Sequence, residues 1–289
     1  VNPGDEVLLP TPYWVSYREL VKLAEGVPVY IPALIENDFK VTAHQIENAL
    51  TERTRLIIFS SPCNPTGSVY TKTELRELAG VLASKEELYI ISDEIYELIN
   101  FTGTHESIAQ FDFIKDKVVT VNGVSKGFAM TGWRLGYMGA PRQIAAACDK
   151  LQGQMTSGTS SIAQRAALSA LLSDPKENDD LRTMIQAFRE RRDLVINELN
   201  KIHGFRTNIP EGAFYVFPNI RQLIGKRYDK GQIKCSDDLC NYLLDKAFVA
   251  TVPGTAFGDP DCVRISYATS SERILEAMAR IRQAIEELS

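Results

Sequence analysis

Through the first half of the chain, short and nearly continuous apolar runs alternate with stretches whose apolar residues recur at helical spacing. Glu6 to Leu9 reads as a strand closed by the Pro10-Thr11-Pro12 break, and Val27 to Ile31 as the next one. Between them, Tyr13 to Glu25 carries helical spacing (Trp14, Tyr17, Leu20, Val21, Ala24) and stops at Gly26. Thr42-x-x-Gln45 predicts a capping box that opens a helix through Leu50. Leu56 to Phe59 is a fully apolar strand that runs into Ser60-Ser61-Pro62-Cys63-Asn64-Pro65-Thr66-Gly67, a loop dense in breakers. Thr71-x-x-Glu74 opens a second capped helix, to about Ser84. Leu88 to Ile91 is a strand ending in Ser92-Asp93-Glu94-Ile95-Tyr96-Glu97, and Val118 to Val121 and Leu135 to Gly139 complete the series.

Strands alternating with capped helices predict an α/β fold: a mostly parallel central sheet with helices on both faces. In such sheets ligands gather at the carboxyl ends of the strands. Here those ends carry Asn64, then Asp93 with Tyr96, then Lys126, so one site is expected rather than three unrelated loops. After helices opening at Pro141 and Ser160, a long charged helix is predicted from Leu181 to Ile202, and its Arg189-Glu190-Arg191-Arg192-Asp193 run reads as a solvated face. Beyond it the pattern changes. Ala213 to Phe217, Phe248 to Val252 and Val263 to Tyr267 read as short strands, interleaved with helices Ser236 to Ala247 and Ser270 to Leu288. The expected organisation is a large domain over residues 1–180 and a smaller α+β domain over 181–289 that includes the linking helix.

Composition narrows the partners. A net charge of −5 gives no reason to expect nucleic acid, and no apolar run approaches the length of a membrane span. The five cysteines are scattered, odd in number and without a C-x-x-C spacing. That argues against a zinc site or disulfide frame and for a reducing, cytoplasmic setting. The chain opens Val1-Asn2-Pro3-Gly4-Asp5, with no methionine, as the middle of a protein would.

The stretch from Val121 to Arg134 holds the most specific chemistry. An apolar strand empties into small residues around Lys126, which leaves an amine rigidly placed yet uncrowded. Arg134 follows eight positions later, across a Thr-Gly turn, and suits a phosphate. A lysine, an aspartate, a tyrosine, an asparagine and such an arginine on neighbouring strand ends match the needs of pyridoxal 5′-phosphate. Lys126 is the amine for the aldehyde, Asp93 the partner of the pyridine nitrogen, and Tyr96 and Asn64 the donors to the ring hydroxylate. Arg134 holds the phosphate, with Ser125 as an additional donor, and Trp14 stacks on the ring. Taken singly, each has an ordinary alternative: Asp93 as a helix-N-terminal acid, Asn64-Pro65 as a chain turn, and Trp14 and Tyr96 as core aromatics.

Asn64-Pro65-Thr66-Gly67, Ser92-Asp93-Glu94-Ile95-Tyr96 and the segment Ser125 to Tyr137 (Ser-Lys-Gly-Phe-Ala-Met-Thr-Gly-Trp-Arg-Leu-Gly-Tyr) together resemble the class I/II aminotransferases of pyridoxal-phosphate fold type I. The likeness is greatest to the bacterial-type aspartate aminotransferase subgroup, some members of which also act on prephenate, and it runs the length of the chain. The resemblance implies the roles given above. It adds Arg264, in Val263-Arg264-Ile265-Ser266-Tyr267-Ala268, as the residue that binds the substrate α-carboxylate, with Trp14 and Asn64 also meeting substrate. It further implies an amino acid, with aspartate favoured, and a 2-oxo acid such as 2-oxoglutarate as small-molecule substrates, a ping-pong transamination, a homodimer, and about a hundred further residues upstream. Where some relatives carry a phosphate-binding serine three positions before the lysine, this chain has Gly123. A fold-type-I C–S lyase, an aromatic or prephenate-type aminotransferase, and a pyridoxal-phosphate-sensing regulator domain are the alternatives that share this core.

Overall fold

The run of apolar segments folds into one six-stranded sheet, ordered β2-β1-β3-β4-β5-β6. Its strands are β1 (Glu6–Thr11), β2 (Val27–Pro32), β3 (Thr54–Ser60), β4 (Tyr89–Asp93), β5 (Val118–Gly123) and β6 (Gly136–Gly139). The computed structural model of the protein describes residues 1–229 and 231–289. All pairings from β2 to β5 are parallel, and only β6 runs antiparallel, against β5. The Leu135 to Gly139 run therefore belongs to the sheet in the opposite sense. The connection from β5 is taken up by the Lys126 turn and a 3₁₀ turn and forms no crossover helix of the kind a parallel neighbour uses.

Helices α1 (Ser16–Leu23), α2 (Ala43–Ala49) and α3 (Lys72–Ala83) cover the sheet. Both predicted capping boxes form, with Thr42 and Gln45, and Thr71 and Glu74, bonding reciprocally. Two apolar clusters lie against the sheet. One gathers Leu8, Ile57, Phe59 and Ile90 under Leu75, Leu78 and Leu82 of α3. The other gathers Val7, Leu9 and Ile58 under Tyr17 and Val21 of α1. Helix α1 starts later than its apolar spacing predicts, because Trp14 precedes it and Val15 is its N-cap.

Helices α4 (Arg142–Met155) and α5 (Ser161–Leu172) lead into the long α6 (Asp179–Leu199). Phe188, Val195 and Leu199 bury one stripe of α6 in the largest cluster, beside Ile274, Met278 and Ile281 of α8 (Ser271–Glu286). Each such side chain contributes about 1.5–3 kcal/mol of burial. The charge run on α6 is not purely a solvated face. Arg189 and Arg192 lie over the Phe101 ring, at 5.9 and 5.0 Å, and donate to the Phe101 and Pro210 carbonyls.

The C-terminal part adds a small sheet, β10-β11-β7, from β7 (Tyr215–Val216), β10 (Val252–Pro253) and β11 (Val263–Ser266). A hairpin of β8 (Arg227–Tyr228) and β9 (Gly231–Gln232) and the helix α7 (Ser236–Ala247) complete it. The strand expected from Phe248 to Val252 is reduced to its last residue. Phe248 takes a positive φ of 55° to end α7, so the chain cannot be extended there. Backbone bonds join this part to the loops at the strand ends: Glu211 and Gly212 N–H donate to the Gly67 carbonyl, and Ala213 N–H to that of Ile99. Gly67, at φ 68°, makes the close approach possible. A Cβ there would stand 2.4 Å from that of Pro210.

Candidate active site

Ser60, Asp93 and Val121 are register partners across β3, β4 and β5, so three strands end side by side. The loops that leave them converge. All eight residues singled out from the sequence line one cavity of about 490 Å³: Trp14, Asn64, Asp93, Tyr96, Ser125, Lys126, Arg134 and Arg264. A larger cleft of about 790 Å³ lies between Tyr30 and Arg221. Its cations Arg18, Arg206 and Arg221 are already paired, with Glu19, Glu36 and Asp261, and no lysine lines it among the described residues.

Lys126 follows β5 on a turn in which Ala129 N–H donates back to the Lys126 carbonyl. Among the described residues its amine has neither a hydrogen bond nor a salt bridge. It faces the rings of Phe214 and Tyr96, at 5.7 and 6.0 Å from their centroids. Burial, followed by the charges of Arg134 and Arg264, lowers its pKa below the ordinary lysine value. An amine that is partly desolvated, reachable and unengaged is well placed to attack a carbonyl.

Asp93 ends β4 half-buried, and no cation touches it among the described residues. Burial raises its pKa, and the neighbouring Glu94 adds to the rise. Two donors oppose this: Tyr17 Oη at 2.5 Å from Oδ2 and Ile95 N–H at 3.2 Å from Oδ1. Glu94 itself is buried behind the site, where it accepts from Ser92, Ser107 and His105. Tyr96 hydrogen-bonds Tyr215, oxygen to oxygen at 3.1 Å, and burial pushes its phenol well above the usual range.

Arg264, on β11, reaches in from the C-terminal part. Its Nη1 donates to Asn64 Oδ1 at 2.9 Å, and its plane lies over the rings of Tyr215 and Phe257 at 4.5 and 4.9 Å. Its Nε is buried without a partner, and no carboxylate pairs with it among the described residues. A guanidinium held this way, with an unused donor, is built for an anion from outside. Arg134 follows a 3₁₀ turn (Thr131–Trp133) and is exposed at the cavity rim, its Nη1 on the Thr131 carbonyl. Gly123 has no room for the serine some relatives carry, since a Cβ would lie 2.9 Å from the Leu135 carbonyl oxygen. Ser125 and Thr131 are the hydroxyls left on that wall.

Tyr17, Tyr215 and Thr131 also line the cavity and escaped the sequence reading. Tyr17 falls in the apolar periodicity of its helix and reads as core, although it stands one turn after Trp14. Tyr215 sits in an aromatic strand whose pattern signals only burial.

A lysine amine, a half-buried carboxylate and two guanidinium groups without a carboxylate partner among the described residues, at the open end of an α/β sheet, are the arrangement of the pyridoxal-phosphate-dependent transferases of fold type I. Comparison with known proteins agrees. The family described as aminotransferase class I and II matches residues 1–281, and the chain belongs to it. A bifunctional aspartate aminotransferase and glutamate/aspartate-prephenate aminotransferase of Petunia hybrida is 48% identical over 98% of this chain, which spans 60% of that relative. An aspartate/prephenate aminotransferase of Nitrosomonas europaea is 45% identical over 97% of the chain, which spans 71% of it. The crystal structure of the Rhizobium meliloti aspartate aminotransferase superposes with a TM-score of 0.95 at 44% identity, covering 100% of this chain and 72% of that one. The aromatic aminotransferase of Pyrococcus horikoshii gives 0.92 at 40%, covering 99% and 74%.

The family's cofactor is pyridoxal 5′-phosphate, and the donor set fits it. The Lys126 amine suits its aldehyde, and the Asp93 carboxylate, half-buried and without a cation among the described residues, suits a protonated ring nitrogen. The unpaired Arg134, near Ser125 and Thr131, suits its phosphate.

Proposed function

We propose that the protein is a pyridoxal-phosphate-dependent aminotransferase that moves an amino group from an L-amino acid to a 2-oxo acid, with aspartate and 2-oxoglutarate as the favoured pair. The observation that carries this is the Arg264 guanidinium. It is part-buried, oriented by Asn64 and short of one partner, in the same cavity as a free lysine amine.

The residues divide the work. Bound, the cofactor supplies an aldehyde that exchanges amino groups and a ring that draws electrons from the substrate α-carbon. Arg264 takes the α-carboxylate through the side of its guanidinium that Asn64 leaves free, while Asn64 fixes the rotation of the guanidinium. Asp93 holds a positive charge on the ring nitrogen. Tyr96 and Asn64 donate to the ring hydroxylate, and Trp14 covers the ring face. Lys126 Nζ carries the α-proton, for which its lowered pKa suits it, because a base works best when its pKa lies near the operating pH. Arg134, with Ser125, anchors the phosphate.

Aspartate as donor is supported by the names of the relatives, which are aspartate or aspartate/prephenate aminotransferases. A second reading, with prephenate or an aromatic oxo acid as acceptor, is favoured by the same names and by the likeness to the Pyrococcus aromatic enzyme. A homodimer, a cytoplasmic setting and a division into domains 1–180 and 181–289 complete the proposal. No helix among the described residues is long and apolar enough to cross a membrane.

Incubation of the full-length protein with L-aspartate and 2-oxoglutarate should form glutamate. Prephenate in place of 2-oxoglutarate tests the second reading. Pyruvate and ammonia from cystathionine, without glutamate in the first assay, would make it a C–S lyase instead.

A further inference from the structure

Asp93 presents an electrostatic problem that its own loop does not solve. A carboxylate buried at a strand end needs donors or a cation to stay charged. The Ile95 N–H is a long contact at 3.2 Å, and Glu94, next along the chain, adds a second negative charge. Tyr96, on the same loop, turns its hydroxyl to Tyr215 instead. Cys63, from the loop after β3, lies part-buried nearby as a thiol whose pKa is raised by desolvation. What remains is Tyr17, from α1, 76 positions away in sequence.

The Tyr17 hydroxyl donates to Asp93 Oδ2 at 2.5 Å, the shortest contact the carboxylate makes. The ring is fixed at both ends. It is 5% exposed, packed with Val7, Leu9 and Val21, and its edge meets the Trp14 ring at 5.5 Å and 85°. Burial also drives the Tyr17 phenol well above its ordinary pKa, so it stays a donor and never competes as an anion.

We propose that Tyr17 is a positioning residue for the cofactor: it holds Asp93 ionised and aimed at the ring nitrogen, and through Trp14 it ties that carboxylate to the residue that covers the ring face. The assignment rests on the pyridoxal-phosphate reading above. It predicts that the worth of Tyr17 depends on the nitrogen. A charge-assisted hydrogen bond is lost in Tyr17→Phe, but the aromatic packing against Trp14 is kept.

The test uses full-length wild-type protein and Tyr17→Phe, each with pyridoxal phosphate and with the carbocyclic analogue in which CH replaces the ring nitrogen. Dissociation constants are read from cofactor absorbance. Tyr17→Phe should weaken pyridoxal phosphate binding by about tenfold or more and leave the analogue's affinity within about twofold of wild type. Equal weakening for both cofactors would reduce Tyr17 to a packing role and overturn the proposal, and so would no weakening for either. Tyr17→Leu, which loses ring and hydroxyl together, should weaken both, and sparing of the analogue in that variant would remove Trp14 from the argument. A wild-type protein that binds no pyridoxal phosphate would sink the underlying reading rather than the part given to Tyr17.

Discussion

Arg264 Nη1 and Asn64 Oδ1 meet at 2.9 Å although 200 positions separate them in the chain. One sits on the small C-terminal sheet and the other on the loop that ends β3, so the bond crosses between the two parts of the molecule. It leaves Nε as the unused donor of a guanidinium already sandwiched by Tyr215 and Phe257.

Arg264→Lys keeps the charge and loses the fork. The value of kcat/KM for L-aspartate should fall by about 10²-fold, with pyridoxal phosphate affinity nearly unchanged, since the lost interaction is with substrate. Steady-state kinetics and a cofactor titration together check this.

Lys126→Ala should still bind the cofactor through Asp93, Tyr96 and Arg134 but not covalently. Borohydride should then fix no chromophore on the protein, and turnover should fall by about 10⁴-fold or more, since nucleophile and proton carrier go together. Near-normal transamination by this variant would end the proposed mechanism.

Asp93→Asn separates stability from function. The folded pKa of Asp93 lies above the ordinary 3.8, so the unfolded chain gives up this proton first. The native state is least penalised below the ordinary value and loses stability as the pH rises through the raised one. At pH 7 the cofactor-free variant should therefore melt above the cofactor-free wild type, and the gap should close below about pH 4. Its pyridoxal phosphate affinity should fall by about tenfold or more, because a neutral amide cannot pair with a charged ring nitrogen. Melting curves across pH and a cofactor titration read the two effects.

Glu94→Ala should act on the frame rather than the chemistry. The carboxylate is 3% exposed and accepts from Ser92 Oγ at 2.9 Å, Ser107 Oγ at 2.7 Å and His105 Nε2 at 2.7 Å. Removing it strands three donors and should cost about 2–4 kcal/mol in denaturant unfolding. Glu94→Gln keeps the volume and part of the bonding, so its loss should be smaller.

The local order of the chain was legible in its residues because its determinants are local. Capping boxes at Thr42 and Thr71, apolar runs ended by Pro62 and Pro65, and the small residues around Lys126 act over a few positions, and each formed its element as read. The parallel sheet in which Ser60, Asp93 and Val121 stand level is what strands alternating with helices imply, and that alternation already groups the strand-end residues.

Contacts between distant segments were not legible, because periodicity carries no information about which buried face meets which. Tyr17 and Tyr215 look like core aromatics in sequence. They become part of the site because packing delivers one hydroxyl to Asp93 and the other to Tyr96. Arg264 was assigned by resemblance alone, and its orientation depends on Asn64. The antiparallel sense of β6, the end of α7 at Phe248 and the inward turn of Arg189 and Arg192 were likewise settled by packing. Short-range sterics and hydrogen bonding write the elements into the sequence. Long-range burial, which rewards any apolar surface alike, chooses their partners only when the whole chain is folded.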